Sequence, residues 1–172
     1  MWRKLSSKVL IDHRFLVVEE DEVELPTGRR IQWLRYGYPG NGVVIAALND
    51  NDEVRFLKEY SYVQQKLMLQ LPMGGINPKE TPEQCASREL QEEGEIAARK
   101  LKLAGTYLQN HRRSGITIHV FLATDLFESS LPQDEDEIIQ SLWIPRTRIT
   151  ELINQGEIVD SDTLCALRIC GL

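Results

Sequence analysis

The chain has 172 residues, of which 42% are hydrophobic and 27% are charged, with a formal net charge of -6 and a pI near 5.2. This length suits one well-buried domain with a small accessory arm, and the composition is that of an ordinary soluble protein. The acidic balance argues against nucleic acid or an anionic membrane surface as a partner, because clustered Lys and Arg usually bind such partners.

The N-terminal sequence and the cysteines indicate the cellular compartment in which the protein is expected. The first 25 residues lack the apolar core of a signal peptide, and no run reaches the ~18 apolar residues that span a bilayer. Three scattered cysteines, at positions 85, 165 and 170, include no pair with zinc-like spacing. We therefore expect packing thiols in a reducing compartment and a cytoplasmic location.

The first 40 residues are predicted to form a β-arm. Residues 8–25 mix β-branched and polar side chains and end at the turn sequence PTG, and residues 29–38 form a second alternating stretch. We assign residues 1–40 to this arm and residues 41–172 to the main domain.

The main domain is predicted to open with a central strand. Residues 42–48, GVVIAAL, are apolar on both faces, as in a strand that helices cover on both sides. Residues 49–52 supply turn chemistry, and residues 53–60 are expected to return as the antiparallel partner of that strand. Residues 66–72 then lead to Met73, Gly74 and Gly75.

The second half of the chain is predicted to contain more strands than helices. Strands are expected at 101–109, 116–125 and 137–145, and helices at 146–155 and 161–170. Because most strands come in hairpins and helices are few, we predict an α/β fold with a mixed sheet and helices packed on its faces.

A helix is predicted to begin after Thr81. Thr81 suits the N-cap, Pro82 stands where a missing N–H costs nothing, and Gln84 completes the spacing of a capping box. The helix should end at about Glu93 or Gly94.

Three glutamates of this helix, Glu89, Glu92 and Glu93, fall within an arc of about 100°. Their mutual repulsion costs ~0.2–0.5 kcal/mol per pair, and acids in a last turn oppose the helix dipole by ~0.3–1 kcal/mol each. Two interpretations of the helix are open: a solvated acidic face softened by Arg88, or a site for a hard divalent cation.

The spacing of residues 74–96 resembles the Nudix box, G-x5-E-x7-R-E-U-x-E-E-x-G-U with U aliphatic. Eight of its nine fixed positions match: Gly74, Glu80, Arg88, Glu89, Leu90, Glu92, Glu93 and Ile96. The departure is Glu95, which replaces the final glycine. We predict that Gly94 takes the left-handed cap instead and that Glu95 points to solvent or to the rim of the cleft.

Resemblance to the Nudix family implies an α/β/α sandwich that binds Mg²⁺ or Mn²⁺. Glu92 and Glu93 would serve both as metal ligands and in catalysis. Glu89 and the main-chain carbonyl around Met73 would complete the ligands, while Gly74, Glu80 and Arg88 would brace the loop and helix. The bound cation would neutralise a diphosphate and activate water for attack on phosphorus.

Nearly the whole chain resembles the ADP-ribose pyrophosphatase branch of that family, through the N-terminal arm, LPMGG before the box, HVFLATDL after it, and the last two helices. The resemblance implies hydrolysis of a nucleoside diphosphate sugar, ADP-ribose to AMP and ribose 5-phosphate, by a homodimer. Alternatives are another nucleoside diphosphate sugar, a dinucleotide or nucleotide as substrate, or a non-catalytic regulator that binds a nucleotide sugar.

Further site residues follow from position in relatives. The acidic segment QDEDE suggests Glu135 or Glu137 as the general base, the alternative being a solvated turn. Lys58, Arg112 and Arg113 are candidates for binding phosphate, and Trp33 for stacking on a base. The competing interpretation of Arg112 and Arg113 is an ordinary polar loop, and that of Trp33 is an aromatic in the core or at a dimer contact. The chain departs from the branch by having Ser61 where an Arg is usual.

Overall fold

The computed structural model describes residues 1–37, 40–132 and 139–172. Within these ranges the strands are β1 (Arg3–His13), β2 (Leu16–Glu24), β3 (Arg30–Gly37), β4 (Gly42–Ala47), β5 (Glu53–Ser61), β6 (Lys66–Gln70), β7 (Met73–Gly75), β8 (Ile96–Leu108), β9 (Thr117–Glu128) and β10 (Ile139–Pro145). The helices are α1 (Pro82–Glu92), α2 (Arg146–Asn154) and α3 (Ser161–Cys170). No helix in the described ranges is long and apolar enough to cross a membrane.

The chain divides into two compact units. The first contains Met1–Asn41 and Leu108–Thr117, and the second contains Gly42–Tyr107 and Ile118–Leu172. A segment from the middle of the sequence thus belongs to the same unit as the N-terminus. It stays a prediction that residues 1–40 form a separate arm that ends at residue 40.

The first unit contains a three-stranded antiparallel sheet in the order β1-β2-β3, as the predicted β-arm requires. The single stretch expected over 8–25 is instead two strands, because the chain reverses between His13 and Leu16. Asp21 of β2 is buried and accepts a hydrogen bond from Ser7 at 2.6 Å. It also forms ion pairs with Lys4 at 3.1 Å and Arg35 at 2.8 Å, which tie the three strands together.

The second unit is built around a mixed sheet in the order β7-β4-β9-β8. Strand β4 pairs antiparallel with β7 and parallel with β9, and all six of its residues are buried, as predicted for a central strand. Its alternate residues Val43, Ile45 and Ala47 share a core with Cys85, Ala86 and Leu90 of α1. Helix α3 also packs against β4, so helices cover the central strand and the expected α/β fold is confirmed.

The predicted hairpin between β4 and its successor is wrong. Strand β5 lies in a second sheet, in the order β10-β5-β6, and meets the end of β4 only through an isolated bridge between Leu48 and Val54. Both edges of β4 are already occupied by β7 and β9, so none is left for β5. The turn itself forms as predicted, since the Asn49 side chain accepts hydrogen bonds from the backbone N–H groups of Asn51 and Glu53, both at 2.9 Å.

Helix α1 begins as its sequence predicts. The Thr81 hydroxyl accepts a hydrogen bond from Gln84 N at 3.2 Å, and the Gln84 side chain accepts one from Thr81 N at 2.9 Å, which together form the capping box. The helix ends at Glu92, with Glu93 as its C-cap. Its last turn therefore carries the glutamates to the edge of β7.

Candidate active site

The C-terminal half of α1 lies beside β7 because its apolar residues are fixed in the core. Cys85, Ala86 and Leu90 are essentially inaccessible to solvent, which turns the neighbouring carboxylates toward the strand. Oε2 of Glu93 accepts a hydrogen bond from Met73 N at 2.9 Å. Only 6% of Glu93 is exposed, so this carboxylate is held against the strand rather than displayed to solvent.

Gly74 leaves room for a second carboxylate. A β-carbon built on Gly74 would lie 1.9 Å from Oε1 and 2.1 Å from Cδ of Glu89. Side-chain atoms never approach this closely, so the absence of a side chain at position 74 is what lets the carboxylate reach the strand. The predicted structural role of Gly74 thus has a steric reason.

Arg88 connects the loop to the helix. Its Nε and Nη2 donate to the two oxygens of Glu80 at 2.9 and 3.1 Å, and Nη2 also donates to the carbonyl of Gly75 at 3.2 Å. Its Nη1 donates to Glu89 at 2.7 Å and to Glu92 at 2.8 Å. Arg88 and Glu80 thus form a two-pronged ion pair, and their bracing role stays a prediction.

The ion pair between Arg88 and Glu80 favours the charged form of both side chains. The hydrogen bond from Arg88 lowers the pKa of Glu80 below its usual 4.5, against the opposite effect of burial. The hydrogen bond to Glu80 in turn raises the pKa of Arg88 above its already high value. At neutral pH the pair is fully ionised.

The cluster of these side chains has an excess of negative charge that a cation would offset. Three carboxylates, those of Glu80, Glu89 and Glu92, form ion pairs with the guanidinium of Arg88, and a fourth, that of Glu93, accepts a hydrogen bond from Met73 N. Among the described residues no group of three acidic, histidine or cysteine side chains is already arranged as a coordination shell. Arg88 accounts for this, because its Nη1 is hydrogen-bonded to two of the three helix glutamates. An all-oxygen donor set of this charge fits Mg²⁺ or Mn²⁺.

The comparisons with known proteins decide the family. A sequence model of the NUDIX domain matches residues 39–166, and one of the nucleoside diphosphate sugar hydrolase N-terminal domain matches residues 2–33. The chain belongs to the Nudix family. Residues 74–96, which resemble the Nudix box, lie within the matched range, and the fold agrees with that membership.

Individual relatives cover most of the chain. It is 27% identical to an ADP-ribose pyrophosphatase of Bacillus subtilis over 99% of this chain and 92% of that protein. It is 30% identical to a GDP-mannose pyrophosphatase of Yersinia enterocolitica over 82% and 79% of the two proteins. The crystal structure of an ADP compounds hydrolase superposes with a TM-score of 0.89 at 23% identity, covering 99% of this chain and 92% of that one. This last match supports the fold.

The end of the Nudix helix differs from the prediction. Glu95 itself adopts a left-handed backbone, with φ of 57°, and Gly94 does not. The expectation that Gly94 would take the left-handed cap is therefore wrong. Gly94 is needed for another reason: a β-carbon there would lie 2.6 Å from the carbonyl oxygen of Leu90. Glu95 accepts the conformation of the usual box glycine, at a cost of ~1–2 kcal/mol for a residue with a β-carbon.

Glu95 takes part in a cluster that the sequence did not reveal. Its carboxylate accepts hydrogen bonds from Arg55 of β5 and Ser141 of β10. Arg55 is held further by the carbonyl of Gly94, at 2.9 Å, and by the ring of Trp143, 5.0 Å away. Arg55, Glu95 and Trp143 line a cavity of about 640 Å³. The glutamate in place of the box glycine was the only hint of this cluster in the sequence, because Arg55 and Ser141 lie on strands that are distant from residue 95 along the chain.

Two of the predicted substrate residues contact each other. The guanidinium of Arg113 lies 4.3 Å from the centre of the Trp33 ring, and its Nη1 donates to the carbonyl of Leu34 at 2.9 Å. Both residues belong to the first unit, whereas the box belongs to the second. Arg112, next in sequence, is exposed, as is Lys58 on β5. Glu135 and Glu137, the candidate bases, lie outside the described residues.

Burial also explains one of the cysteines. Cys85 is fully buried in α1, and its Sγ donates to the carbonyl of Gly75 at 3.3 Å. Burial raises the pKa of this thiol to about 12. Cys85 is free and un-ionised, as a packing thiol should be, and the other two cysteines are free as well.

Proposed function

We propose that the chain hydrolyses the pyrophosphate bond of a nucleoside diphosphate linked to a sugar-like group, with Mg²⁺ or Mn²⁺ as the cofactor. ADP-ribose, yielding AMP and ribose 5-phosphate, is the proposed substrate. The observation that carries the proposal is the set of box carboxylates held at the junction of β7 and α1. The match of residues 2–33 to a nucleoside diphosphate sugar hydrolase N-terminal domain supports the substrate class.

The residues of the box would have two roles, binding the cation and supporting the loop and helix. Glu89, Glu92 and Glu93, with the main-chain carbonyl around Met73, would hold the cation. Gly74, Glu80 and Arg88 would keep the loop and helix in register. When bound, the cation neutralises the diphosphate oxygens and lowers the pKa of water that attacks phosphorus. Either Glu135 or Glu137 would accept the proton of that water, with Glu92 and Glu93 also in the catalytic group.

Substrate recognition would involve residues outside the box. Lys58, Arg112 and Arg113 supply positive charge for phosphate groups, and Trp33 supplies an aromatic face for the base. The contact between Trp33 and Arg113 supports treating them as one surface. The Arg113 guanidinium already lies over the ring, and the Trp2 ring packs against it at 88° with the ring centres 5.1 Å apart, so a base would share the Trp33 ring with both neighbours.

The GDP-mannose pyrophosphatase of Yersinia enterocolitica, at 30% identity, supports a second candidate substrate class, other nucleoside diphosphate sugars. Dinucleotides and nucleotides remain further alternatives within the same chemistry. A non-catalytic regulator is less well supported, because all the box glutamates are present and held together. These candidates differ in substrate, so one panel of compounds separates them.

We also propose a homodimer formed through the N-terminal sheet. The apolar side chains of β1 are largely exposed, with exposed fractions of 53% for Val9, 44% for Leu10 and 49% for Ile11. Burial of such residues against a second copy would remove apolar surface from water. Light scattering at micromolar concentration should give the mass of two chains, and a monomer contradicts the proposal. The cytoplasmic location stays a prediction.

The test is hydrolysis of a panel of nucleotide sugars, dinucleotides and triphosphates with Mg²⁺ or Mn²⁺ in ¹⁸O-labelled water. We expect ADP-ribose to give AMP and ribose 5-phosphate, with the label on a single phosphorus. The double substitution Glu92→Gln and Glu93→Gln should abolish turnover. Glu83→Gln, a matched control in the exposed first turn of the same helix, should leave it unchanged. Full activity in the double variant would falsify the metal assignment.

A further inference from the structure

Glu95 combines an unfavourable backbone conformation with a side chain that accepts two hydrogen bonds. Its φ of 57° is a conformation that glycine adopts without strain, and the box normally has glycine there. A residue with a β-carbon in this position needs a compensating interaction. The contacts of its carboxylate show what that interaction is.

The carboxylate closes a triangle of hydrogen bonds. Its Oε2 accepts from Arg55 Nη2 at 3.2 Å and from the Ser141 hydroxyl, and Arg55 Nη2 also donates to Ser141 Oγ at 2.7 Å. Only 11% of the Arg55 side chain is exposed, whereas 55% of the Glu95 side chain is. The guanidinium is thus a fixed, buried anchor, and Glu95 reaches it from the rim.

This triangle connects three parts of the second unit. Glu95 follows Glu93, the C-cap of α1, by two residues. Arg55 lies on β5 and is paired in register with Trp143 of β10. Ser141 is also on β10, the strand that follows the acidic segment in sequence. Contacts made by one side chain therefore join the end of the Nudix helix to the strand that leads away from the candidate base.

We propose that Glu95 is a positioning residue for the metal-binding carboxylates. By holding the chain just after Glu93 to Arg55 and Ser141, it fixes where the last turn of α1 places Glu92 and Glu93. The inference rests on the proposed function and deepens it. A glycine at position 95 would relax the backbone but leave the hydrogen bond from Arg55 Nε to the Gly94 carbonyl to hold the end of the helix without the Glu95 side chain, so that the carboxylates are less well arranged for a cation.

The direct test is Glu95→Gly, which restores the usual box residue. Binding of Mn²⁺ without substrate is measured by isothermal titration calorimetry, and kcat and KM are measured with ADP-ribose. Residues that orient metal ligands typically contribute about 10- to 100-fold. We expect Mn²⁺ affinity and kcat to fall by about 10-fold, KM to change little, and Tm to stay level or rise because the backbone strain is gone.

Two further variants separate positioning from general structure. Ser141→Ala removes only the hydroxyl, and its effect on Mn²⁺ affinity should be non-additive with that of Glu95→Gly, because both break the same triangle. Asp125→Gly is the matched control. Asp125 also has a left-handed backbone, with φ of 56°, and forms an ion pair with Arg99 at 3.2 Å. It should leave Mn²⁺ affinity and kcat unchanged.

The outcomes are distinguishable. Unchanged Mn²⁺ affinity and kcat in Glu95→Gly, with an active wild type, overturn the positioning role and leave the proposed function intact. Equal losses in Glu95→Gly and Asp125→Gly overturn it as well. A wild-type protein that neither binds Mn²⁺ nor hydrolyses any compound of the panel contradicts the proposed function itself.

Discussion

The carboxylate of Glu89 lies against the α-carbon of Gly74, so close that a β-carbon at position 74 would overlap it at 1.9 Å. At the contact between β7 and α1, Gly74 contributes only its backbone and Glu89 contributes a charged side chain. Together with the hydrogen bond from Met73 N to Glu93, this contact fixes two carboxylates to β7.

Gly74→Ala is expected to displace the Glu89 carboxylate, because the atoms that a β-carbon would overlap, Oε1, Cδ and Oε2, all belong to the end of that side chain and must move away. Overpacking of this kind costs ~1–3 kcal/mol, and misplacement of a catalytic group lowers rates by about 100-fold. Activity on ADP-ribose and Tm should both fall. Gly37→Ala is the control, since a β-carbon there would have no neighbour within 4 Å. An active Gly74→Ala enzyme would show that Glu89 need not occupy this position.

Arg88→Lys is expected to weaken the site although it preserves charge. A lysine cannot reproduce the two parallel hydrogen bonds to Glu80 while also reaching Glu89 and Glu92. We expect a loss of about 10- to 100-fold in kcat/KM, as for other residues that orient metal ligands. Arg146→Lys, at an exposed ion pair with Asp52, is a matched control that should retain activity. Equal activity of the two variants would argue against the bracing role.

Asp21 should make stability depend on pH. Burial alone would raise its pKa, but hydrogen bonds from Ser7, Lys4 and Arg35 outweigh burial and hold that pKa below the usual 3.8. The folded state therefore binds fewer protons than the unfolded chain near that pH. This contribution to stability is present above pH 3.8 and is lost as the pH falls through the lower folded value.

Urea denaturation between pH 7 and pH 3 measures the effect. In Asp21→Asn the free energy of unfolding should be lower at pH 7, by ~1–3 kcal/mol, and should decline less as the pH drops. An exposed acid such as Glu128 serves as a control through Glu128→Gln. Parallel pH curves for Asp21→Asn and the wild type would contradict the assignment.

Arg112 and Arg113 are expected to differ when each is replaced by alanine. Arg113 lies over Trp33 and donates to Leu34, so Arg113→Ala should lower Tm through lost packing. Arg112 is exposed, and Arg112→Ala should leave Tm unchanged but raise KM for ADP-ribose by about 10-fold, equivalent to ~1.4 kcal/mol, if it binds a phosphate. Thermal melts and steady-state kinetics on both variants distinguish a structural from a binding arginine.

The sequence predicted best what depends on neighbours in the chain. The capping box of Thr81 and Gln84 and the turn at Asn49 are local, and both were found as expected. Strand pairing was predicted less well, because which edge of β4 is free depends on strands that arrive later in the sequence. The partners of Glu95 could not be predicted for the same reason: Arg55 and Ser141 are brought together only by the pairing of β5 with β10.

The segment Leu108–Thr117 belongs to the unit that contains the N-terminus, although it lies between two strands of the other unit. Arg113 and Asn110 in this segment bind Leu34 and Tyr36 of β3. A chain from which residues 1–41 are deleted would keep this segment but lose Leu34 and Tyr36, to which it is hydrogen-bonded. The N-terminal sheet therefore cannot be deleted without affecting the rest of its unit. To transfer this unit to a relative, Met1–Asn41 and Leu108–Thr117 would have to be exchanged together.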